Sequence, residues 1–341
     1  MGAVQQTILF SVEMACTAQC RSDGVPAGAE KGVLAMSAEQ QVAFRANPQA
    51  GGKGRKRPAY AIVTPVKDEA AYIERLLSAV AGQRVQPVRW VIVDDGSTDG
   101  TREIVRRWTR RFPWIELVCL PDRGYRAPGG DDVFHLGLRR LPLKELDYLA
   151  RVDGDVTFGE DYFERLIEIF ERNPRLGIAS GDMVYVDRSE PEVVGGPRFQ
   201  THGPCKFYRV RCLEQIGGLV PEIGWDILDN IQAIRLGWEA RRLSEVQFVH
   251  FRRVGQRRSK LGLYHNLGRA AYLCGYHPLF FWAKFLRYLP ADPPVRGSLA
   301  MARAYLAPFF RREARLVDPD NHRFVRREQL KRLFGMKSIW K

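Results

Sequence analysis

The sequence lacks several features that would assign it to a special class of protein. It has no apolar run close to the roughly 18 residues that a membrane-spanning helix needs. Its six cysteines, at positions 16, 20, 119, 205, 212 and 274, form no Cys-x-x-Cys pair. This argues against a zinc site or a disulfide framework, and reduced thiols favour a cytoplasmic location. Internal repeats and long low-complexity segments are also missing.

Composition is that of a globular protein with a strongly basic end. Apolar residues make up 45% and charged residues 27% of the 341 residues, which suits one large or two ordinary domains. Residues 251–341 hold 20 of the 53 Lys and Arg but 5 of the 39 Asp and Glu, so the net charge of this segment is +15. The rest of the chain has a net charge of −1, which gives the total of +14. Nucleic acid, anionic lipid and phosphorylated substrates are all attracted by such a segment.

The patterning divides the chain into three parts. Residues 1–58 have weak periodicity and end in Gly-Gly-Lys-Gly-Arg-Lys-Arg-Pro, so we predict a flexible N-terminal extension outside the fold. Its polar start lacks Lys and Arg, which argues against a secretory signal. Residues 59–255 are predicted to form the main domain, and residues 256–341 a basic, aromatic-rich helical extension.

The main domain reads as short apolar strands alternating with amphipathic helices. Strands are predicted at 60–66, 88–93, 115–120, 148–152, 178–186 and 205–210, and helices at 70–81, after 101, and at 161–172, 211–216 and 226–236. This alternation indicates an α/β fold whose central sheet is mostly parallel and flanked by helices. Ligands of such sheets bind at the C-terminal ends of the strands.

Acidic turns follow three of the predicted strands. Asp153-Gly154-Asp155 places two carboxylates where they can converge on one divalent cation, although an isolated motif of this kind is more often a capped turn. Asp94-Asp95 ends the second strand, where a carboxylate can accept hydrogen bonds from a base or a ribose. The turn from Thr64 to Glu69 ends the first strand and is predicted to form one wall of the base pocket.

These elements, in this order, resemble the motifs of family 2 inverting glycosyltransferases with the GT-A fold. The resemblance rests on Pro65 to Glu69, Asp94 to Thr101 and Asp153 to Asp155, and is extended by Gly217-Gly218, Trp225-Asp226, Gly237 and His250. Two departures occur: Lys67-Asp68 stands where the family usually has Tyr-Asn, and Trp225 where Glu is commoner. The Gln-x-x-Arg-Trp signature of processive synthases is missing, so non-processive transfer is expected.

The resemblance implies a function and a role for each candidate residue. The expected reaction is metal-dependent, inverting transfer of a sugar from a nucleotide-diphosphate sugar to a hydroxyl acceptor, in polysaccharide, glycolipid or other cell-envelope glycan synthesis. Asp226 is the implied catalytic base, and Mg²⁺ or Mn²⁺ is the implied cofactor, bound by Asp155, Asp153 and His250. The implied donor-binding residues are Thr64, Pro65, Lys67, Glu69, Asp95, Asp153, Arg257 and Arg258.

Several alternatives stay open at the level of sequence. Asp229 lies one helical turn from Asp226 and is a rival base. His250 is as readily a structural residue as a ligand. Aromatic and basic residues between 261 and 289 suit either core helices or a peripheral contact with an anionic membrane, on the inner face of the plasma membrane and with a lipid-linked acceptor.

Other functions are less well supported by the sequence. A nucleotidyltransferase usually has a Gly-rich basic loop after the first strand, which residues 64–69 do not offer. A catalytically dead sugar-nucleotide-binding homologue is a further alternative, which turnover alone can exclude. A nucleic-acid partner is not expected, because the positive charge is confined to the tail while acidic turns occupy the strand ends.

Overall fold

The computed structural model describes residues 58–124, 131–186, 191–253 and 259–340. The predicted N-terminal extension, apart from Pro58, lies outside the described residues. So do Arg257, Arg258 and the predicted domain boundary at residue 255.

One nine-stranded sheet organises the main domain, with strand order β3-β2-β1-β4-β8-β6-β9-β5 and β7 paired to β6. The strands are β1 (Tyr60–Val66), β2 (Arg89–Asp94), β3 (Ile115–Cys119), β4 (Tyr148–Val152), β5 (Val156–Phe158), β6 (Leu176–Tyr185), β7 (Glu192–Val193), β8 (Cys205–Arg209) and β9 (Glu239–His250). β1 and β6 are buried along their whole length, which explains their continuous apolar and small-residue sequences.

The predicted α/β fold is confirmed, but the sheet is mixed rather than mostly parallel. The β3-β2-β1-β4 half is parallel throughout, as the strand-helix alternation requires. β8 then runs antiparallel to both β4 and β6, and β9 runs parallel to β6 but antiparallel to β5. The directions of β8 and β9 are set by pairing across long stretches of sequence, which no local pattern reports.

Helices cover both faces of the sheet and form the C-terminal extension. They are α1 (Ile73–Ala81), α2 (Thr101–Arg111), α3 (Asp131–Leu138), α4 (Tyr162–Arg172), α5 (Val210–Gln215), α6 (Trp225–Arg235), α7 (Lys260–Leu273), α8 (Pro278–Tyr288), α9 (Arg296–Phe310) and α10 (Pro319–Leu333). α1 buries Ile73, Leu76, Leu77 and Val80 at helical spacing. It begins three residues later than predicted, because Asp68 has a left-handed backbone (φ 52°) and the turn is held by hydrogen bonds to α2's start.

Three apolar clusters hold the molecule together. One lies between the sheet and α1 and α4, and a second lies on the opposite sheet face against α3 and α5. The third joins the C-terminal helices to α6 through residues including Leu228, Ile231, Phe281 and Met301. The helical extension is therefore confirmed as helical, and it packs on the helix that carries Asp226.

Neither disulfides nor spanning helices are found in the described part of the chain. Cys119, Cys205, Cys212 and Cys274 are buried free thiols, and burial raises the pKa of Cys205 to about 12, as expected for inert core cysteines. Among the helices listed above, none combines the length and hydropathy needed to cross a bilayer.

Candidate active site

The turns after β1 and β2 are locked together at one edge of the sheet. The Lys67 ammonium donates to the carbonyl oxygens of Asp95 (2.8 Å) and Gly96 (3.3 Å) and pairs with the Asp122 carboxylate at 2.6 Å. The Asp68 amide donates to Ser97 Oγ at 2.9 Å. Lys67 thus fixes the wall of the predicted base pocket by holding its backbone, which accounts for a lysine in place of the family's usual tyrosine.

Asp95 lies at the end of β2 and is paired with Arg123, from the segment that follows β3. Its carboxylate is buried and accepts two hydrogen bonds from Arg123, from Nε and Nη2, each at 3.0 Å. Arg123 also reaches Asp132 at 2.6 Å. Burial raises the pKa of Asp95, although Arg123 opposes that shift. The arginine orients the carboxylate at the position predicted to meet the nucleotide.

The Asp-Gly-Asp turn lies beside the β1 turn because its central residue is a glycine. A Cβ on Gly154 would lie 3.0 Å from both Glu69 Cγ and Val66 Cγ1, so a larger residue would push the two turns apart. Asp155 is consequently buried next to β9, where His250 pairs with Val156 of β5. The glycine therefore allows the Asp-Gly-Asp turn to pack closely against the side chains of Val66 and Glu69.

Asp155 and His250 form the best candidate for a metal site. His250 Nε2 lies 3.2 Å from Asp155 Oδ1. Burial raises the pKa of Asp155, but hydrogen bonding and charge from His250 and Arg252 outweigh it, and the pKa falls to about 2. A carboxylate that stays ionised is a ligand that suits Mg²⁺ or Mn²⁺, and the adjacent imidazole is a candidate second ligand.

The predicted three-residue ligand set is not assembled. Among the residues that the structure describes, no three His, Cys, Asp or Glu side chains are grouped to hold one metal ion. Asp153 is instead one-third exposed and approaches Arg151 at 3.8 Å. The chain turns at Gly154 and Asp155 instead of continuing as an extended strand, so the rule that residues i and i+2 share one face does not apply to this pair. The pair Asp155–His250 leaves further coordination positions for substrate oxygens and water, which is usual for Mg²⁺.

Arg252 joins the Asp-Gly-Asp turn after β4 to the turn after β1. Its Nε donates to Asp155 Oδ2 at 2.7 Å, and its Nη2 pairs with the buried carboxylate of Glu69. The guanidinium also lies 5.1 Å from the centre of the Tyr72 ring. Glu69 is therefore a structural partner of this arginine, and Arg252 places a positive charge where the donor diphosphate is expected.

Asp226 lies at the N-terminal turn of α6, next to the C-terminal end of β4. The connection runs through the backbone: the Asp153 amide donates to the Pro204 carbonyl at 2.8 Å, and the neighbouring Gly203 faces the Asp226 side chain. Burial raises the pKa of Asp226, Lys206 lowers it and Asp229 raises it, and the net shift is upward. An elevated carboxyl pKa is appropriate for a general base.

Asp229 is held in a buried ion pair. Both of its carboxylate oxygens lie 2.8 Å from Lys206 Nζ, and the Tyr208 hydroxyl donates to Oδ2 at 2.8 Å. The backbone N–H of Asn230 donates to Oδ1 at 2.6 Å. With these oxygens committed to buried partners, Asp229 has a structural role, which favours Asp226 as the base.

The contacts of Trp225 explain why a tryptophan occupies this position. Its ring packs against the guanidinium of buried Arg151 at 4.0 Å and against Lys206 Nζ at 5.0 Å. Lys206 pairs with Asp229 and Arg151 approaches Asp153, and the aromatic face adds a further favourable contact to both buried cations. The aromatic ring of the tryptophan thus takes the place of the negative charge that a glutamate would bring.

The remaining residues predicted to bind the donor lie in different environments. Thr64 does not present its side chain to the cluster: it is buried in the sheet, and its hydroxyl accepts a hydrogen bond from Trp90 Nε1 at 2.9 Å. Pro65 lies in β1 opposite Val93, at the strand end that the acidic turns share. Arg257 and Arg258 lie outside the described residues.

Sequence reasoning did not assign roles to Arg123 or Lys206. Arg123 had a usable signal, because it follows β3 and the end of that strand lies at the same sheet edge as Asp95. Lys206 had none, since a lysine in a short strand gives no sign of being completely buried against a helix.

Residues 61–215 match the family model described as Glycosyl transferase family 2. The segment runs from β1 to α5 and includes all three acidic turns, so this part of the chain is similar to the family's domain. The resemblance predicted from the ordered motifs is thereby confirmed, while Asp226 and His250 lie beyond the matched segment.

Two curated relatives and one solved structure illustrate the similarity. The succinoglycan biosynthesis protein ExoA of Rhizobium meliloti (strain 1021) is 39% identical over 109 residues, which are 31% of this chain and 31% of that protein. Validoxylamine A glucosyltransferase of Streptomyces hygroscopicus subsp. jinggangensis (strain 5008) is 33% identical over 32% of this chain and 25% of its own length. The match thus spans about a third or less of each relative.

The solved structure is that of the mannosyltransferase PcManGT from Pyrobaculum calidifontis in complex with GDP-Man and Mn²⁺. It superimposes with a TM-score of 0.48 and 20% identity, over 83% of this chain and 76% of that one.

Proposed function

We propose that this chain transfers a sugar from a nucleotide-diphosphate sugar to a hydroxyl acceptor, with inversion and without processive polymerisation, in the synthesis of a cell-envelope glycan. The observation that carries the proposal is the grouping of Asp95, the Asp155–His250 pair and Asp226 around the ends of β2 and β4. Nucleotide, diphosphate and acceptor each have a candidate partner there. The relation to ExoA supports an envelope polysaccharide.

A divalent cation fits the Asp155–His250 pair. Two ligand atoms at right angles around a cation, each bonded at about 2.1 Å, lie about 3.0 Å apart, and the Oδ1 to Nε2 distance is 3.2 Å. When bound, Mg²⁺ or Mn²⁺ would neutralise the diphosphate leaving group. Arg252 would contribute a second positive charge to the same oxygens, because its guanidinium already contacts Asp155.

The chain's own residues supply the proton transfer. Asp226 takes the proton from the acceptor hydroxyl while that oxygen bonds to the anomeric carbon, and the bond from this carbon to the diphosphate oxygen breaks. The Lys206 ammonium donates to the Asp226 carbonyl oxygen at 2.7 Å and so fixes the base at the start of α6. Attack from the side opposite the leaving group inverts the anomeric configuration.

A panel of nucleotide sugars tests the proposal and identifies the donor. We expect one or a few donors to be hydrolysed slowly in the presence of Mg²⁺ or Mn²⁺ but not with chelator, water acting as the acceptor. Asp155→Asn should raise the metal concentration needed for activity by at least about 100-fold. Loss of a residue that only supports a metal ligand costs up to about 100-fold, so a direct ligand should cost at least as much. The measurement is nucleoside diphosphate release against metal concentration.

Asp161→Asn is the matched control for that variant, because it makes the same chemical change at an exposed carboxylate near α4. Its metal response should equal that of the unmodified chain. Binding of donors without any turnover would instead indicate a non-catalytic homologue. Formation of a nucleotide sugar from a sugar phosphate would indicate a nucleotidyltransferase.

An anionic membrane surface is the proposed site of action. One face of α8 carries Leu279, Trp282 and Leu286, which are 58%, 40% and 62% exposed at i, i+3 and i+7, while Phe281 on the opposite face is buried. Leu299 of α9 is a further exposed apolar side chain of the helical extension. The excess positive charge of residues 251–341 favours anionic headgroups around such a strip.

Replacing Trp282 and Leu286 together with glutamine should reduce binding to anionic vesicles by about tenfold or more, since both side chains lose apolar burial in the interface. The measurement is flotation with phosphatidylglycerol vesicles at physiological salt. The control pair is Val193→Gln with Leu236→Gln, which are similarly exposed outside α8. Equal flotation of both double variants would contradict a role for this strip.

A further inference from the structure

A cleft on the C-terminal helical extension is lined by positively charged side chains. It has a volume of about 450 Å³ and lies where the end of α9, the turn after it and the start of α10 meet α7. Its walls include Tyr272, Phe309, Arg312, Arg315, Val317 and His322. None of these residues belongs to the candidate active site.

Several buried nitrogen atoms around this cleft have no hydrogen-bond partner. They are Arg315 Nε and His322 Nε2 in its wall, and Arg326 Nε one helical turn beyond His322 on α10. Buried polar groups in folded proteins are nearly always hydrogen-bonded, and an exception calls for a ligand or another specific cause. Three unsatisfied nitrogens, two of them obligatory donors, point to a bound group that supplies acceptor oxygens.

The local charge is also uncompensated. Glu313 is the carboxylate in the wall of the cleft, and it pairs with Arg269 at 3.0 Å and approaches Arg311 at 3.9 Å. Among the described residues no ion pair is formed by Arg312, Arg315 or Arg326. Burial and the charge of Arg315 lower the pKa of Arg326. The fold therefore keeps mutually repelling guanidinium groups together, a cost that an anion would relieve.

Arg315 is held in place by its surroundings. The Arg315 guanidinium lies over the Tyr272 ring at 5.1 Å, and the Tyr272 hydroxyl donates to the Glu313 carbonyl at 2.5 Å. Gly275 lets α10 approach, because a Cβ there would lie 2.5 Å from His322 Cδ2. These contacts make the site preformed, so little ordering is needed when a ligand binds.

We propose that this cleft is a second anion site, which binds a phosphate or diphosphate group. Guanidinium groups bind phosphate oxygens through paired, charge-assisted hydrogen bonds, and several of them around one cleft favour a multiply charged oxyanion over a carboxylate. Phe309 and Val317 give the same cleft an apolar wall for the part of the molecule that carries the phosphate. A soluble phosphate ester and a lipid phosphate headgroup share this chemistry.

Titration calorimetry of the full chain with pyrophosphate, in chelator to exclude metal at the active site, tests the proposal. We expect saturable binding of one pyrophosphate, weakened at least tenfold by Arg315→Gln and by Arg326→Gln. Arg323→Gln is the matched control, because Arg323 lies on the same helix, is exposed and pairs with Asp320. Absence of binding, or equal weakening by all three variants, would overturn the proposal.

Further arms identify the source of the phosphate and guard against misfolding. Preference for vesicles containing phosphatidic acid over vesicles with equal charge as phosphatidylserine would assign a lipid headgroup, whereas pyrophosphate binding without that preference would assign a soluble phosphate ester. Arg312→Gln, at an exposed position, serves if a buried variant does not fold. Because the readout is binding, the result is independent of whether the chain has glycosyltransferase activity.

Discussion

Replacing Asp226 with asparagine is expected to lower the rate of sugar transfer by about 10²- to 10⁴-fold, the usual contribution of a general base. Donor binding and thermal stability should change little, because the side chain is only partly buried and Asp226 is fixed through its backbone carbonyl. The raised pKa of Asp226 should place the acid limb of the pH–rate profile above that of an ordinary carboxyl group. Activity is lost below that limb, where the base is protonated.

The measurement is single-turnover release of nucleoside diphosphate as a function of pH, using the donor found in the panel. Asp229→Asn separates the two neighbouring carboxylates: it should lower the melting temperature and retain a pH-dependent reaction in the fraction that folds. If Asp226→Asn kept its rate while folded Asp229→Asn lost it, the assignment of the base would be reversed.

Replacing Lys206 with methionine is expected to be the most destabilising of the substitutions considered. The Lys206 side chain is fully buried and donates to both oxygens of Asp229 and to the Asp226 carbonyl. Its loss leaves a buried carboxylate without its cation, which typically costs roughly 3–5 kcal/mol. For a chain of this size that corresponds to a fall in melting temperature on the order of 10 °C. Thermal and urea unfolding measure the effect.

A second substitution distinguishes loss of the ion pair from loss of packing. The double variant Lys206→Met, Asp229→Asn should recover much of the stability, because it removes the uncompensated charge and keeps an oxygen for Tyr208. Arg172→Gln, which breaks an exposed pair with Glu168 on α4, should change little. Equal destabilisation by the single and double variants would show that the charge is not the cause.

The two predictions separate the chemistry of this region from its architecture. Asp226 and Asp229 lie three residues apart on one helix, yet one carboxylate faces the strand ends while the other neutralises a lysine of β8. Loss of Lys206 is therefore expected to affect both stability and transfer, since the same ammonium group anchors the backbone of the base.

Local sequence patterns predicted the parallel half of the sheet well. The strands β1 to β4 occur within one residue of their predicted limits, because each is a short apolar run between a helix and a turn. α3 was missed because a glycine interrupts its pattern. A Cβ on Gly137 would lie 2.5 Å from Val63 Cγ1, so the glycine is what allows this helix to pack on the sheet. Tertiary packing here overrides helix propensity.

The sequence by itself determined the family and the edge of the sheet at which the acidic turns meet. Ordered motifs and strand ends are local properties, and local patterns report them. Tertiary structure alone showed that Asp229 is engaged in a buried ion pair and how Arg252 bridges Glu69 to Asp155. These contacts join residues that are distant along the chain, and their energies depend on burial, which no spacing of residues specifies.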